Sequence, residues 1–379
     1  MTDQAAIADI RTSLLSVPFA DPPKTGFLTL EMIDLLVVEV ELTDGTIGTG
    51  HLHPLAPGIR TIELCIHEVM KPVLLGQPCD PETLWDAMWR TCFIQGRMGI
   101  TVMASSALDI ALWDAVGRRE GMPLWQLWGG SGEAQPVYGS GCFRGLGHDG
   151  MIEKAERFVA KGFNAIKMQV AHCFTLDEDE ANVRDMRAAL GDEVEIMVDV
   201  NQGWDAETAI AGGKRLDPFG LTWLEEPVMA DDIDGYLAVA SAIETPVVGG
   251  ENHWLTYDTR DLMRSGRVPI LQPDIMRGGY TGLRRQAADA TKHGIKIAPH
   301  MFPELSSHLT AAIPNASWLE AMGWHDHLWV EPVPITAGTM APPNRPGHGL
   351  DFKPELFREF PYRPRNGQGL AEHAKLRHR

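Results

Sequence analysis

The sequence predicts an α/β protein: a closed barrel of eight parallel strands with seven intervening helices, (β/α)7β, preceded by an N-terminal α+β domain. Three observations predict it. From about residue 135 the chain repeats strand-then-helix units. The strands are short and apolar, as expected when helices cover a parallel sheet. All but the first end in polar residues at the same point of the unit, the end at which β/α barrels build their sites.

Taken in order, residues 1–133 form the α+β domain. In "VVEVELTDGTIGTG", Val38, Val40 and Leu42 alternate with Glu39 and Glu41, and Asp44-Gly45 supplies a hairpin turn. "PETLWDAMWRTC" starts on proline and puts Trp85, Met88, Trp89 and Cys92 on one helical face. "MASSALDIALWDAVGRREG" does the same with Ala104, Leu108, Ala111 and Ala115, and Gly121 closes it. The breaker-rich "MPLWQLWGGSG" precedes the boundary. Residues 134–345 form the barrel, with strands at "PVYGSG", "NAIKMQV", "EIMVDVN", "LTWLEEP", "PVVGGEN", "PILQPDI", "IKIAPHM" and "ASWLE". A typical intervening helix is "DGMIEKAERFVAKG", where Ile152, Ala155 and Val159 share a face. Residues 346–379 return to a Pro- and Gly-rich texture and are expected to pack back on the first domain, with a basic, frayed end.

At 379 residues and 44% hydrophobic composition, the chain can bury a large core and carry a second domain. A net charge of −18 and a pI near 5.2 exclude a basic nucleic-acid footprint and repel anionic membranes. A small anionic ligand is compatible, because a local field can oppose the global one. No run approaches the length of a membrane span, and "MTDQAAIADIRTS" does not read as a signal peptide. Five scattered cysteines without a C-x-x-C pair imply reduced thiols and a cytoplasmic location. "GSGCFRG" does not fit a dinucleotide-binding G-x-G-x-x-G.

The strand ends carry Lys167 and Gln169, Asp199 and Asn201, Glu225-Glu226, Glu251, Asp274, His300 and Glu320. Asp199, Glu225 and Glu251 come from three adjacent strands and repel one another unless a cation joins them. Oxygen ligands without Cys or His favour Mg²⁺. Alternation sends Glu226 away from Glu225, which reads as a structural role or as support behind the site ligands. Asp274 beside His300 fixes the imidazole tautomer and makes a general base. Glu320 can donate a proton to an oxyanion if its site keeps it protonated. In "TGHLHPLAPG", His51 and His53 read as metal ligands, as a substrate-facing loop or as an ordinary polar loop. Arg277 adds positive charge near the site. "HDH" at 325–327 lacks further ligands and reads as ordinary polar residues.

The stretches "ALDIALWDAVGRREGMPLWQLWGG", "VDVNQGW", "WLEEP", "GGEN", "QPDIMRGGYTG", "APHMFPELSSHL" and "SWLE" together resemble the mandelate racemase subgroup of the enolase superfamily, over nearly the whole chain. The resemblance implies a modified TIM barrel under a capping domain that lays two loops over its mouth. It implies abstraction of a proton next to a carboxylate, with the enediolate held on Mg²⁺ by Asp199, Glu225 and Glu251. His300, oriented by Asp274, is then a base, and Glu320 a hydrogen-bond donor to the substrate carboxylate. Lys167 matches the first lysine of the family's Lys-x-Lys motif, Asn201 a polar substrate contact, and His51 or His53 a contact to the distal end of a substrate. Symmetric homo-oligomers, commonly octamers, are also implied.

The departure is Gln169, which stands in the place of the second lysine. An amide is neither acid nor base at neutral pH, but it can hydrogen-bond a hydroxyl. Racemisation needs a proton carrier on each face; dehydration can use His300 alone, first as base and then as acid. The expectation is a Mg²⁺-dependent dehydratase converting a sugar acid to a 2-keto-3-deoxy acid. The alternatives are a racemase or epimerase with another proton carrier near Gln169, and a barrel that binds an acid without turning it over.

Overall fold

The computed structural model describes residues 5–25, 29–55 and 57–364. Strands β1 (Ile7–Pro18), β2 (Met32–Leu42) and β3 (Ile47–Leu52) form an antiparallel meander. The β2–β3 turn passes through Gly45 at φ 87°, a left-handed conformation that glycine adopts freely. Helices follow: α1 (Ile59–Cys65), running through a π-turn at Ile66–Met70 into α2 (Lys71–Leu74), then α3 (Pro81–Thr91), α4 (Ile100–Glu120) and α5 (Leu124–Leu127).

Helix α4 is buried nearly all round, because the meander covers one side and the barrel the other. A Cβ at Gly48 or Gly50 of β3 would lie 2.2 Å from the carbonyl oxygen of Ala111 or 2.3 Å from that of Ala107, so only glycine lets the strand approach this closely. On the barrel side, Asp109 accepts bonds from the amide and hydroxyl of Thr281 at 2.8 and 2.7 Å. By length and composition α4 could cross a membrane, which corrects the expectation that no run comes near a span. It is instead the shared core helix of the molecule.

The barrel strands are β4 (Gln135–Cys142), β5 (Ala165–Gln169), β6 (Glu195–Asp199), β7 (Trp223–Glu225), β8 (Val247–Val248), β9 (Ile270–Leu271), β10 (Lys296–Ile297) and β11 (Leu319–Ala321). Between them run α6 (Gly147–Ala160), α7 (Leu176–Leu190), α8 (Ala206–Leu216), α9 (Ile233–Ala242), α10 (Leu255–Ser265), α11 (Gly279–Lys292) and α12 (Pro303–Thr310). Pairing is parallel throughout. Gly249–Leu271 joins β8 to β9, Ile297–Ala316 reaches the β11 segment, and β11 closes on β4. Alternation sorts each strand: Ile196 and Val198 pack outward on the helices, while Met197 faces Tyr138, Ala165, Trp223 and Val248 in the barrel interior.

After the barrel, the hairpin β12–β13 (Ile335–Thr336 and Thr339–Met340) pairs with the start of β4. Residues 346–364 then return to the meander. Helix α13 (Glu355–Glu359) leads to Phe360, whose carbonyl accepts from the Ser16 amide at 3.1 Å. His308 of α12 ties this segment to α5: its Nε2 donates to the His348 carbonyl at 3.0 Å, and its Nδ1 accepts from the Trp125 amide at 3.3 Å.

Candidate active site

The strand ends open into a cavity of about 320 Å³, whose wall includes Lys167, Gln169, Asp199, Glu251, His300 and Glu320. Lys167 is almost wholly buried. Its ammonium is 2.5 Å from Glu225, 2.9 Å from Glu320 and 3.7 Å from Asp199, over the ring of Tyr138. Burial alone would lower its pKa; Glu225, Glu320 and Asp199 overcome this and hold it well above the ordinary lysine value.

Asp199 ends β6, and its two oxygens accept from the backbone and side-chain nitrogens of Asn201, each at 2.8 Å. Glu225, fully buried, accepts from Lys167, Trp223 at 2.9 Å and Gln272 at 2.7 Å. Glu226 overturns the alternation argument. Its φ of 41° breaks the extended conformation and turns the side chain back to the cavity wall. There Asn252 Nδ2 lies within 2.9 Å of both its oxygens and 3.2 Å from Glu251. The four acids crowd one another. Burial first, then the neighbouring carboxylates, raises Glu225, Glu226 and Glu251, and burial takes Asp199 to about 6 against the pull of Lys167. Among the described residues no three of these acids already stand as a metal-ligating group, and Glu225 lies behind the cavity wall, bound to Lys167, Trp223 and Gln272. The all-oxygen chemistry of Asp199, Glu225 and Glu251 nevertheless fits a hard divalent cation.

On another wall, His300 Nδ1 lies 2.8 Å from Asp274, whose second oxygen caps the following turn through the Met276 amide at 2.7 Å. The contact fixes the proton on Nδ1 and leaves Nε2 toward the cavity, 3.4 Å from Glu251 and 3.9 Å from Glu320. Burial lowers the imidazole most, yet Glu251, Asp274 and Glu320 together raise it to about 10. Glu320 differs from expectation. Burial raises it, but Lys167, His300 and the Met301 amide outweigh burial and hold it at about 2. It is a carboxylate that accepts bonds, not a protonated donor.

Across the cavity, Gln169 Nε2 donates to Asn201 Oδ1 at 2.7 Å, and Arg144 Nη2 donates to the same oxygen at 2.9 Å. Arg144 is almost wholly buried, and burial draws it down to about 10. It was not read from the sequence, although it stands two residues after β4, the one strand for which no polar end was assigned. His172, at φ 58°, also reaches this wall, with Nε2 3.0 Å from the Asn201 carbonyl.

Three expected contacts lie elsewhere. His51 is enclosed by Phe302, Trp329 and Phe352, and burial holds it well below the ordinary histidine value. His53 lies 3.1 Å from His325, against Phe19 and Trp324. Both point into the seam between meander and barrel, because β3 packs there. Arg277 lies over the Trp254 ring and donates to Asn252 at 2.9 Å, so it reaches the acids only through that amide. His325, expected as an ordinary polar residue, is buried and stacks on Phe302 at 4.9 Å.

Residues 9–129 match the family model for the mandelate racemase / muconate lactonizing enzyme N-terminal domain, and residues 150–356 match the enolase C-terminal domain-like model. The chain is 35% identical to the 3,6-anhydro-alpha-L-galactonate cycloisomerase of Streptomyces coelicolor, over 92% of this chain and 98% of that protein. It is 33% identical to the L-talarate/galactarate dehydratase of Salmonella typhimurium, over 90% and 87%. A crystal structure of the Salmonella enzyme with Mg and L-lyxarohydroxamate superposes with a TM-score of 0.88 at 30% identity, over 95% of this chain and 94% of that one. A Streptomyces coelicolor racemase with bound magnesium gives 0.88 at 34%, over 93% and 99%. The chain therefore belongs to the mandelate racemase/muconate lactonizing enzyme family of the enolase superfamily.

Proposed function

We propose that this protein catalyses Mg²⁺-dependent β-elimination on a sugar acid, most simply dehydration to a 2-keto-3-deoxy acid. One observation carries the reading. One carboxylate-held imidazole, His300 on Asp274, faces the cavity, and the opposite wall presents an amide tied to Asn201 beside a His172 ring whose Nε2 is engaged by the Asn201 carbonyl. Asp199, Glu225 and Glu251 would hold the metal, with Glu226 beside them on the wall. Once bound, the ion supplies positive charge to the substrate carboxylate and to the negative charge that develops on it.

The remaining steps belong to side chains. Lys167 places its ammonium beside the carboxylate. Against burial, Glu251 contributes most to holding His300 protonated in the free site. With Glu251 committed to the ion that pull would fall, and the neutral imidazole takes the α-proton on Nε2 while Asp274 stabilises the imidazolium that results. The same proton then goes to the β-oxygen as its bond to carbon breaks, and the enol product becomes the 2-keto acid. Gln169, Asn201 and Arg144 hydrogen-bond substrate hydroxyls on the other side. A second reading follows from the cycloisomerase relative. If the β-oxygen belongs to a ring ether, the same two proton movements open the ring and no water is lost.

The test is a screen of sugar acids and their anhydro forms with Mg²⁺ in D₂O. The expected result is a 2-keto acid whose formation needs His300. Recovery of α-deuterated, inverted substrate with no keto acid would establish the epimerase reading instead. Heat protection by an acid that is never converted would establish a binding protein. The five free thiols support a cytoplasmic location, and the homo-oligomer implied by the resemblance is tested by light scattering.

A further inference from the structure

Beyond the His300 cavity, the molecule carries a second concentration of charge, opposite in sign to the chain as a whole. On α6 and at its C-cap, Lys154, Arg157 and Lys161 line an open cavity of about 740 Å³. In a protein of net charge −18, three cations on one cavity wall reverse the local field. A smaller cavity of about 110 Å³ lies between this one and the active cavity, with wall residues in common with each. It shares Lys154 and Arg157 with the first and Ser140, Gly141 and Trp324 with the second, and it adds Lys24.

The partition is thin at Gly141, which sits at φ 141° near the end of β4. A Cβ there would lie 3.5 Å from Lys154 Cε and 3.8 Å from the Phe143 ring, filling the space between the strand and the lysine stem. A carboxylate already sits among the cations. Asp21 accepts from Lys154 Nζ at 2.8 Å, and Lys154, Arg157 and Lys24 hold its carboxyl below the usual range. Among the described residues, Asp21 is the one carboxylate that pairs with any of the three. Asp326 also lines the larger cavity, so two carboxylates face the four cations Lys24, Lys154, Arg157 and Lys161, and the cluster keeps a positive excess.

We propose that Lys154, Arg157 and Lys24 form a subsite for the far carboxylate of a dicarboxylic sugar acid, reached from the active cavity past Gly141. The proposal rests on the β-elimination reading and narrows it to aldaric over aldonic acids. The site recognises an anion through charge and ammonium or guanidinium donors, as it already recognises Asp21. A primary alcohol at the far carbon offers none of that charge.

Binding is measured by calorimetry on the Mg²⁺-loaded full chain with matched pairs, galactarate against galactonate and glucarate against gluconate. Lys154→Met and Arg157→Met keep the apolar stems and remove the charges. The expected result is that at least one diacid binds about tenfold more tightly than its monoacid partner, the scale of two partly exposed ion pairs. The double variant should lose most of that advantage, with monoacid affinity and melting temperature unchanged. An advantage that survives in the double variant, or its absence from every pair, overturns the proposal. Keto acid formed from aldonic acids alone would keep the elimination and remove the subsite. A Lys154- and Arg157-dependent preference without any keto acid would keep the subsite and remove the elimination.

Discussion

The wall that carries His300 and the wall that carries Gln169 are assembled alike. Each presents a polar side chain at the end of a barrel strand, held by a second residue on another strand. On the first wall the holder is Asp274, a carboxylate, and the held group is an imidazole that can take and return a proton. On the second the holder is Asn201, and the held group is an amide that can do neither. The cavity therefore sets a carboxylate-held imidazole against an amide, although the two walls are built alike; the His172 ring on the amide's wall is engaged by the Asn201 carbonyl rather than by a carboxylate. Two barrels with the same backbone can thus run different reactions through the identity of one side chain at a strand end.

The comparison breaks most visibly at its active side. His300→Asn should lower keto-acid formation by roughly 10⁴-fold, the upper range for a positioned acid–base group. Mg²⁺ affinity by calorimetry should stay within a few-fold; appreciable residual turnover would show that another group carries the proton. Asp274→Asn should cost about 10²-fold or more, because the amide no longer enforces the Nδ1–H tautomer. The drop should appear in kcat, and a change in KM alone would argue against an orienting role. Lys167→Met tests the floor common to both walls. It leaves Glu225, Glu320 and Asp199 buried without their cation, and about 3–5 kcal/mol of stability should go with it by denaturant unfolding. A variant as stable as the parent would mean that the acids find another partner.

The smallest effect should come from the passive wall. Gln169→Lys should slow elimination by several-fold, within the range of one hydrogen bond. It should also introduce slow exchange of the α-proton from the opposite face, read by NMR in D₂O. If neither property changes, Gln169 does not address the reacting carbons.

The positions of Lys167, Asp199, His300 and Glu320 were legible because strand period and barrel repeat together fix where a strand ends. What failed was everything that period does not encode. Glu226 was assigned to the wrong side because alternation assumes extended backbone, and its φ of 41° is not extended. Glu320 was given a proton because its ionisation is set by Lys167 and His300, which arrive from distant strands. His51 and His53 stand two apart in sequence like ligands, yet the chain at the end of β3 and just past it delivers them to an aromatic seam. Arg144 went unnoticed because it follows its strand by two residues and acts from the connecting loop.

His308 carries a consequence for how the protein meets acid. Both of its ring nitrogens are committed, one giving a proton bond to the His348 carbonyl and one receiving the Trp125 amide, so the ring must remain neutral where it stands. Burial depresses it from 6.5 to about 3. A histidine whose folded pKa is depressed contributes stability above 6.5 and loses it as pH falls from there toward 3. Acidification thus strains the stitch between α5, α12 and the returning C-terminal segment, as it does the buried His51 ring packed on Phe352 of that segment. Melting curves recorded downward from neutrality should show that loss, and His308→Gln should flatten it. The first part of this enzyme to yield in a souring medium would then be its hem rather than its working centre.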